Sequence, residues 1–236
     1  MRTSINALQL PLNLKLHDEA IFDNFLSCAN APLVEILKNF AIGKSESLIY
    51  CYGESGFGRT HLLQACCHAA QKNNHSVFYL PLAHHAEFSA AILEGLEEQE
   101  CVCIDDIDHV LGDDAWEEAL FHFYNRAREK ETRLLVSAAC SPKQLGCRLP
   151  DLQSRLSSAL VLAIKKLTDA QKMQALQLRA ESRGFYLSEE VMNYLIHHFS
   201  RNMRDLFQLL EKLDQASLIE KRRITLPFVK WVMQFG

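Results

Sequence analysis

The chain predicts an α/β fold, a parallel sheet sandwiched between helices, followed by a small all-α lid domain. Five short apolar, β-prone runs alternate with helix-like stretches as far as residue 164. Such runs suit strands buried on both faces of a parallel sheet. After Leu167 only helical patterns remain. Between the first run and its helix stands Gly53-Glu54-Ser55-Gly56-Phe57-Gly58-Arg59-Thr60, a glycine-rich turn with the spacing G-x-x-x-x-G-K-[ST], carrying arginine where lysine is expected.

Taken in order, residues 1–16 read as an extended tail. Asn30-Ala31-Pro32 opens a helix running from Leu33 to Phe40, with a capping Asn and a Pro in the first turn. Leu48–Tyr52 is the first strand, and Thr60–Lys72 the helix after the turn. Val77–Leu80 is a second strand ended by Pro81, and helical pattern resumes from Ala83 to Leu96. Cys101–Asp106 is a buried strand finishing in two aspartates. Asp113-Asp114 caps a helix containing Trp116, Leu120, Phe121 and Tyr124. Arg133–Ser137 and Leu160–Ile164 are the last two strands, with a short helix around Arg155 before the fifth. Thr168–Arg183, Ser188–Phe199, Asn202–Ile219 and Pro227–Gln234 then form the helical part. The change of pattern sets a domain boundary at residue 166, giving a tail of 1–16, an α/β domain of 17–166 and a lid of 167–236.

The turn carries the chemistry. Glycines let the backbone curl until several N–H groups converge, and the next helix adds the positive end of its dipole, so the phosphates of a nucleotide fit there. Gly53, Glu54, Ser55, Gly56, Phe57, Gly58, Arg59 and Thr60, with His61 behind them, are the expected contacts. Arg59 is longer, planar and forked compared with lysine, so binding should survive while hydrolysis slows. A carboxylate ending a buried strand is where such a loop meets magnesium. Asp105 would hold the ion through water together with the Thr60 hydroxyl, and Asp106 would orient an attacking water. The same aspartates also suit the opening of a turn.

Composition narrows the class. With 236 residues, 48% hydrophobic and 23% charged, the chain matches an ordinary soluble globular protein, and its formal charge of −4 argues against a strongly basic nucleic-acid surface. It has no run long enough to span a bilayer and no cleavable signal, so the expected compartment is the cytoplasm. Eight cysteines contain no C-x-x-C pair, which fits buried reduced thiols better than zinc.

Together, loop, aspartate-ended strand, arginine segment and helical lid resemble the AAA+ ATPases, their DnaA branch, and within it the Hda family of DnaA regulators. The resemblance rests on Gly58–Leu63, Val102–Asp105, Leu149–Leu152 with Ser154–Leu156, Leu176–Ala180 with Arg183–Phe185, Met203–Phe207 and Ile224–Lys230, and covers nearly the whole chain. The loop arginine is itself typical of that family. The resemblance implies a Walker A loop at Gly53–Thr60, a Walker B end at Asp105 and Asp106, a trans-acting arginine finger at Arg155 and a sensor 2 arginine at Arg204. It further implies ADP, or ATP, as ligand, and DnaA and the DNA polymerase III sliding clamp as partners, with a homo-oligomer left open. The clamp motif would be Leu8, Gln9, Leu10, Pro11 and Leu12, read in either of two registers; an apolar tail packed on its own domain is the alternative. Ala139 stands where the family places a sensor 1 aspartate. DnaA continues past its lid into a helix-turn-helix, whereas this chain ends at Gly236, so no sequence-specific DNA contact is expected.

The function so implied is negative regulation of replication initiation, through stimulated hydrolysis of the ATP held by DnaA, with little turnover of its own. The alternatives are an ATP-hydrolysing loader or remodeller, and a degenerate scaffold that binds nothing.

Overall fold

A computed structural model of the chain describes residues 16–200 and 202–235. Five strands, β1 (Leu48–Tyr52), β2 (Val77–Pro81), β3 (Cys101–Asp105), β4 (Arg133–Ala138) and β5 (Leu160–Ala163), form one parallel sheet in the order β2-β3-β4-β1-β5. Alternation along each strand sends its side chains to two separate cores. Val102, Ile104, Leu134 and Val136 pack with Trp116 and Phe123 beneath α3 (Asp114–Glu129) and α4 (Pro150–Ser157). Cys101, Cys103, Ile49, Cys51 and Leu135 face the other way. There they meet α1 (Ala31–Ala41) and α2 (Arg59–Lys72) through Leu37, Phe40, Leu62 and Leu63. Burial alone pushes the Cys51 thiol up to about 12, so it stays protonated.

Four helices follow the sheet: α5 (Asp169–Ser182), α6 (Glu189–His198), α7 (Met203–Glu220) and α8 (Leu226–Phe235). They enclose a core of their own around Leu176, Leu187, Leu195, Leu206, Leu213 and Phe228. Three of them start on side-chain caps. Thr168 forms a capping box with Gln171, Ser188 accepts from Val191 N–H, and Asn202 accepts from Arg204 N–H.

The expected helix over Ala83–Leu96 is absent. Three 3-10 turns replace it, at Leu82–Glu87, Ala90–Leu93 and Leu96–Glu98. Phe88 and Ser89 are extended and Gly95 is left-handed at φ +80°, because Leu82, Leu93 and Leu96 enter the core at separate points that one straight helix could not reach. Asn30 precedes α1 as expected but caps nothing. Its carboxamide turns away, donating to the Lys165 carbonyl at 3.0 Å and accepting from the Lys165 N–H at 2.8 Å, and so joins the start of α1 to the chain leaving the sheet. Five cysteines are buried, but Cys28 is exposed and Cys140 and Cys147 are half-buried. Among the described residues no helix is long and apolar enough to cross a membrane.

Candidate functional site

The loop 53–60 leaves the carboxyl end of β1 and turns directly into α2, whose first internal bond runs from Leu62 N–H to Gly58 O at 3.0 Å. The amides ahead of that bond have no partner within the helix and mark the positive end of its dipole. Gly56 and Gly58 adopt φ of +84° and +95°, where an L side chain is strained. Their missing Cβ atoms also leave room for neighbours. A Cβ on Gly58 would lie 2.7 Å from Phe25, and one on Gly56 would collide with the Asn202 carboxamide.

Beside the loop a cleft of about 230 Å³ lies between Glu54–Phe57 on one wall and Lys172, Asn202 and Met203 on the other. Lys166 lines this cleft together with the buried Lys172 ammonium, which is paired with Asp169 at 2.8 Å. The cleft sits at the carboxyl ends of parallel strands, where open α/β sheets bind ligands. A larger cavity of about 410 Å³ opens at the opposite ends of β1, β4 and β5, beside Tyr124 and Arg128. It borders no glycine turn or helix N-terminus, so the smaller cleft is the better anion site.

Residues 16–30 lie across the outer side of α2. His17 donates its N–H to Gln64 at 3.0 Å, and the Phe25 and His61 rings meet at 5.6 Å. His61 Nε2 lies 2.8 Å from the Ile21 carbonyl, which requires it to carry the proton. Burial lowers the pKa of His61, against the pull of that carbonyl, so it rests neutral. His61 thus packs the segment onto α2 instead of reaching for a ligand. Glu19 continues the segment into the lid, accepting from Arg183 at 3.1 and 3.2 Å and pairing with Arg179.

Arg59 takes a position its residue type alone did not reveal. Its guanidinium donates to the Gly53 carbonyl and places Nη2 2.7 Å from Asp106 Oδ1. That oxygen has the charge contact but no well-directed hydrogen bond. Asp106 itself is left-handed, at φ 56°, ψ 53°. Burial, followed by the neighbouring Asp105 carboxylate, raises its pKa, and Arg59 opposes the rise. Asp106 is therefore committed to a cation, an engagement different from the water-orienting one expected.

Asp105 is almost wholly enclosed. Oδ2 accepts from the Tyr79 hydroxyl at 2.8 Å and Oδ1 from Ser137 Oγ, whose oxygen also accepts from Asp106 N–H at 2.9 Å. Burial, then the Asp105 charge, pushes the Tyr79 hydroxyl far up, so it remains a donor. Thr60 is exposed and shares no hydrogen bond with Asp105. Magnesium would need outward-facing carboxylate oxygens free to order its water. With Asp105 held by two hydroxyls and Asp106 by a guanidinium, these residues do not fit the ion as the sequence anticipated.

Two arginines complete the predicted set. Arg155, half-buried on α4, lies 5.7 Å from the centre of the Tyr124 ring and forms no side-chain hydrogen bond or ion pair among the described residues. Its helix is positioned by Glu117, a buried carboxylate that accepts from Gly112, Arg148 and Leu149 N–H at 2.7, 3.0 and 2.6 Å. Arg204 is exposed in the first turn of α7 and forms no ion pair among the described residues. Asn202, two residues earlier, is what reaches the loop, donating to the Ser55 carbonyl at 3.4 Å. Neither Asn202 nor Phe25 was anticipated, since nothing local distinguishes a capping Asn or an apolar Phe that also touches a distant loop. The candidate clamp motif Leu8–Leu12 lies outside the described residues.

The comparisons agree with this architecture. Residues 16–165 match the family model of the bacterial DnaA ATPase domain, and residues 169–233 that of the Hda lid domain. An uncharacterized protein of Haemophilus influenzae is 42% identical over 226 residues, covering 95% of this chain and 98% of its own length. Domain III of the Thermotoga maritima replication initiation protein DnaA has the same fold. It superposes with a TM-score of 0.77 at 21% identity, covering 93% of this chain and 98% of that one. DnaA from Aquifex aeolicus, solved with AMPPCP, gives 0.67 at 21% identity over 83% of this chain and 65% of its own. The chain belongs to the bacterial DnaA ATPase domain family of AAA+ proteins and carries a lid of the Hda type.

Proposed function

We propose that this chain is a nucleotide-bound regulator of replication initiation that acts on DnaA. It holds ADP between the loop 53–60 and the lid, is recruited by the sliding clamp through Leu8–Leu12, and promotes hydrolysis of the ATP bound to DnaA. The observation that carries the reading is the Arg59–Asp106 pair at 2.7 Å. It leaves a phosphate cradle intact while removing the carboxylate that would direct water, which suits a site that retains nucleotide instead of turning it over. The Hda-type lid and the DnaA-type domain supply the partner class.

Arg155 supports an action on a neighbouring subunit. Lying over the Tyr124 ring without a side-chain ion pair among the described residues, the guanidinium can project toward the phosphates of an adjacent protein. A reconstituted assay with DnaA, clamp and DNA tests this. Arg155→Ala should abolish most of the stimulation while leaving nucleotide binding to this chain intact; unchanged stimulation would end the assignment. Appreciable ATP turnover by the purified chain alone would favour the loader or remodeller instead.

A further inference from the structure

We infer that the site binds a nucleoside diphosphate without a divalent cation, the guanidinium of Arg59 supplying the charge that a metal would otherwise bring. The inference rests on the nucleotide site proposed above. A metal bridging loop and strand needs carboxylate oxygens free to order its water shell, and magnesium releases its water reluctantly. Here each Asp105 oxygen already accepts a hydroxyl bond, and the residue is only 2% exposed, so neither oxygen faces outward. Moving Asp105 outward would take the acceptor from the buried Tyr79 hydroxyl and break the Ser137 bridge that also holds Asp106 N–H. The second carboxylate faces a cation already in contact at 2.7 Å.

Arg59 is suited to the replacement because of its shape. A guanidinium carries five N–H groups in a rigid fork. Contacts with Gly53 and Asp106 use two nitrogens, Nη1 and Nη2. The remaining N–H groups can face a phosphate without giving up either contact, so one side chain joins loop, strand end and anion. A lysine in its place has three donors on one nitrogen and cannot span that geometry. It would leave Asp106 free to face solvent and ions.

Calorimetric titration of ADP into the nucleotide-stripped full chain, in excess magnesium and in EDTA, tests the inference. The two affinities should agree within tenfold, or be tighter in EDTA, where ADP is not chelated. Arg59→Lys should bind at least tenfold more tightly with magnesium than without, a gap of about 1.4 kcal/mol. Wild-type affinity that falls tenfold or more in EDTA overturns the inference and leaves the nucleotide site standing. An Arg59→Lys variant indifferent to magnesium overturns the role given to Arg59. No heat in either buffer overturns the nucleotide-site reading, and this inference with it.

Discussion

Asn202 joins the lid to the glycine-rich loop 53–60 with a single carboxamide. Its Oδ1 accepts from Arg204 N–H at 2.8 Å to start α7, and its Nδ2 donates to the Ser55 carbonyl at 3.4 Å, across 147 residues of sequence. Gly56 must lack a side chain for the two to approach. Asn202→Ala should cost about 1 kcal/mol from the lost cap. It should also weaken ADP binding, because the lid is no longer tied to the loop. Gly56→Ala should weaken ADP binding further, since it both strains a φ of +84° and pushes Asn202 away. Thermal melts with and without ADP separate the two effects; an ADP-induced rise in Tm equal to wild type in both variants would refute the coupling.

Glu117 offers a test of how α4 is held. Three amides from two separate segments converge on its carboxylate, and it is 1% exposed. Glu117→Ala removes the acceptor of three part-buried amides, so denaturant unfolding should show a loss of about 2 kcal/mol. The variant should also disturb the placement of Arg155, lowering stimulation of DnaA hydrolysis with nucleotide affinity unchanged. Full stability would show that the three amides find water instead.

The Glu19 network is a salt-sensitive fastener. Glu19 meets Arg179 and Arg183, and Arg183 also faces Glu211 and Asp214 at 3.4 Å each. The Glu19 side chain is more than one-third exposed, so its contribution is screened. Glu19→Gln should cost about 1 kcal/mol at low ionic strength and less in concentrated salt. A loss that does not change with salt would argue against a charge-based contact.

His61 sets a pH dependence. Burial holds its folded pKa below the ordinary histidine value of 6.5. The unfolded chain therefore takes up this proton first on acidification, and stability falls from the unfolded pKa down to the lower folded one. Above that window the imidazole is neutral in both states and contributes no slope. His61→Gln should flatten the decline measured by Tm as pH falls below the ordinary histidine range. Equal slopes for variant and wild type would exclude His61 as the source.

How much of this was legible depended on the range over which each signal acts. Leu48–Tyr52 starts and stops as its apolar run predicts, and the glycine spacing located the loop, because strand propensity and turn conformation are local properties. The stretch Ala83–Leu96 reads as helix in the sequence but folds as separate 3-10 turns. Its apolar residues have a helical look, but Leu82, Leu93 and Leu96 answer to different parts of the core. Asn30 looked like a cap in sequence, yet a backbone segment 135 residues away competes for its carboxamide.

By itself, then, the sequence determined the strand and helix alternation, the glycine-rich loop after the first strand and the all-helical lid. Each depends on neighbours within a few residues along the chain. Only the tertiary structure decided what the site's charged groups do. Arg59 could reach a phosphate or a carboxylate, and Asp105 could face water or two hydroxyls. Those choices depend on which groups the packed sheet brings within hydrogen-bonding distance, because a buried charge must be paired where it lies. The fold brought Asp106 to Arg59, and Tyr79 and Ser137 to Asp105.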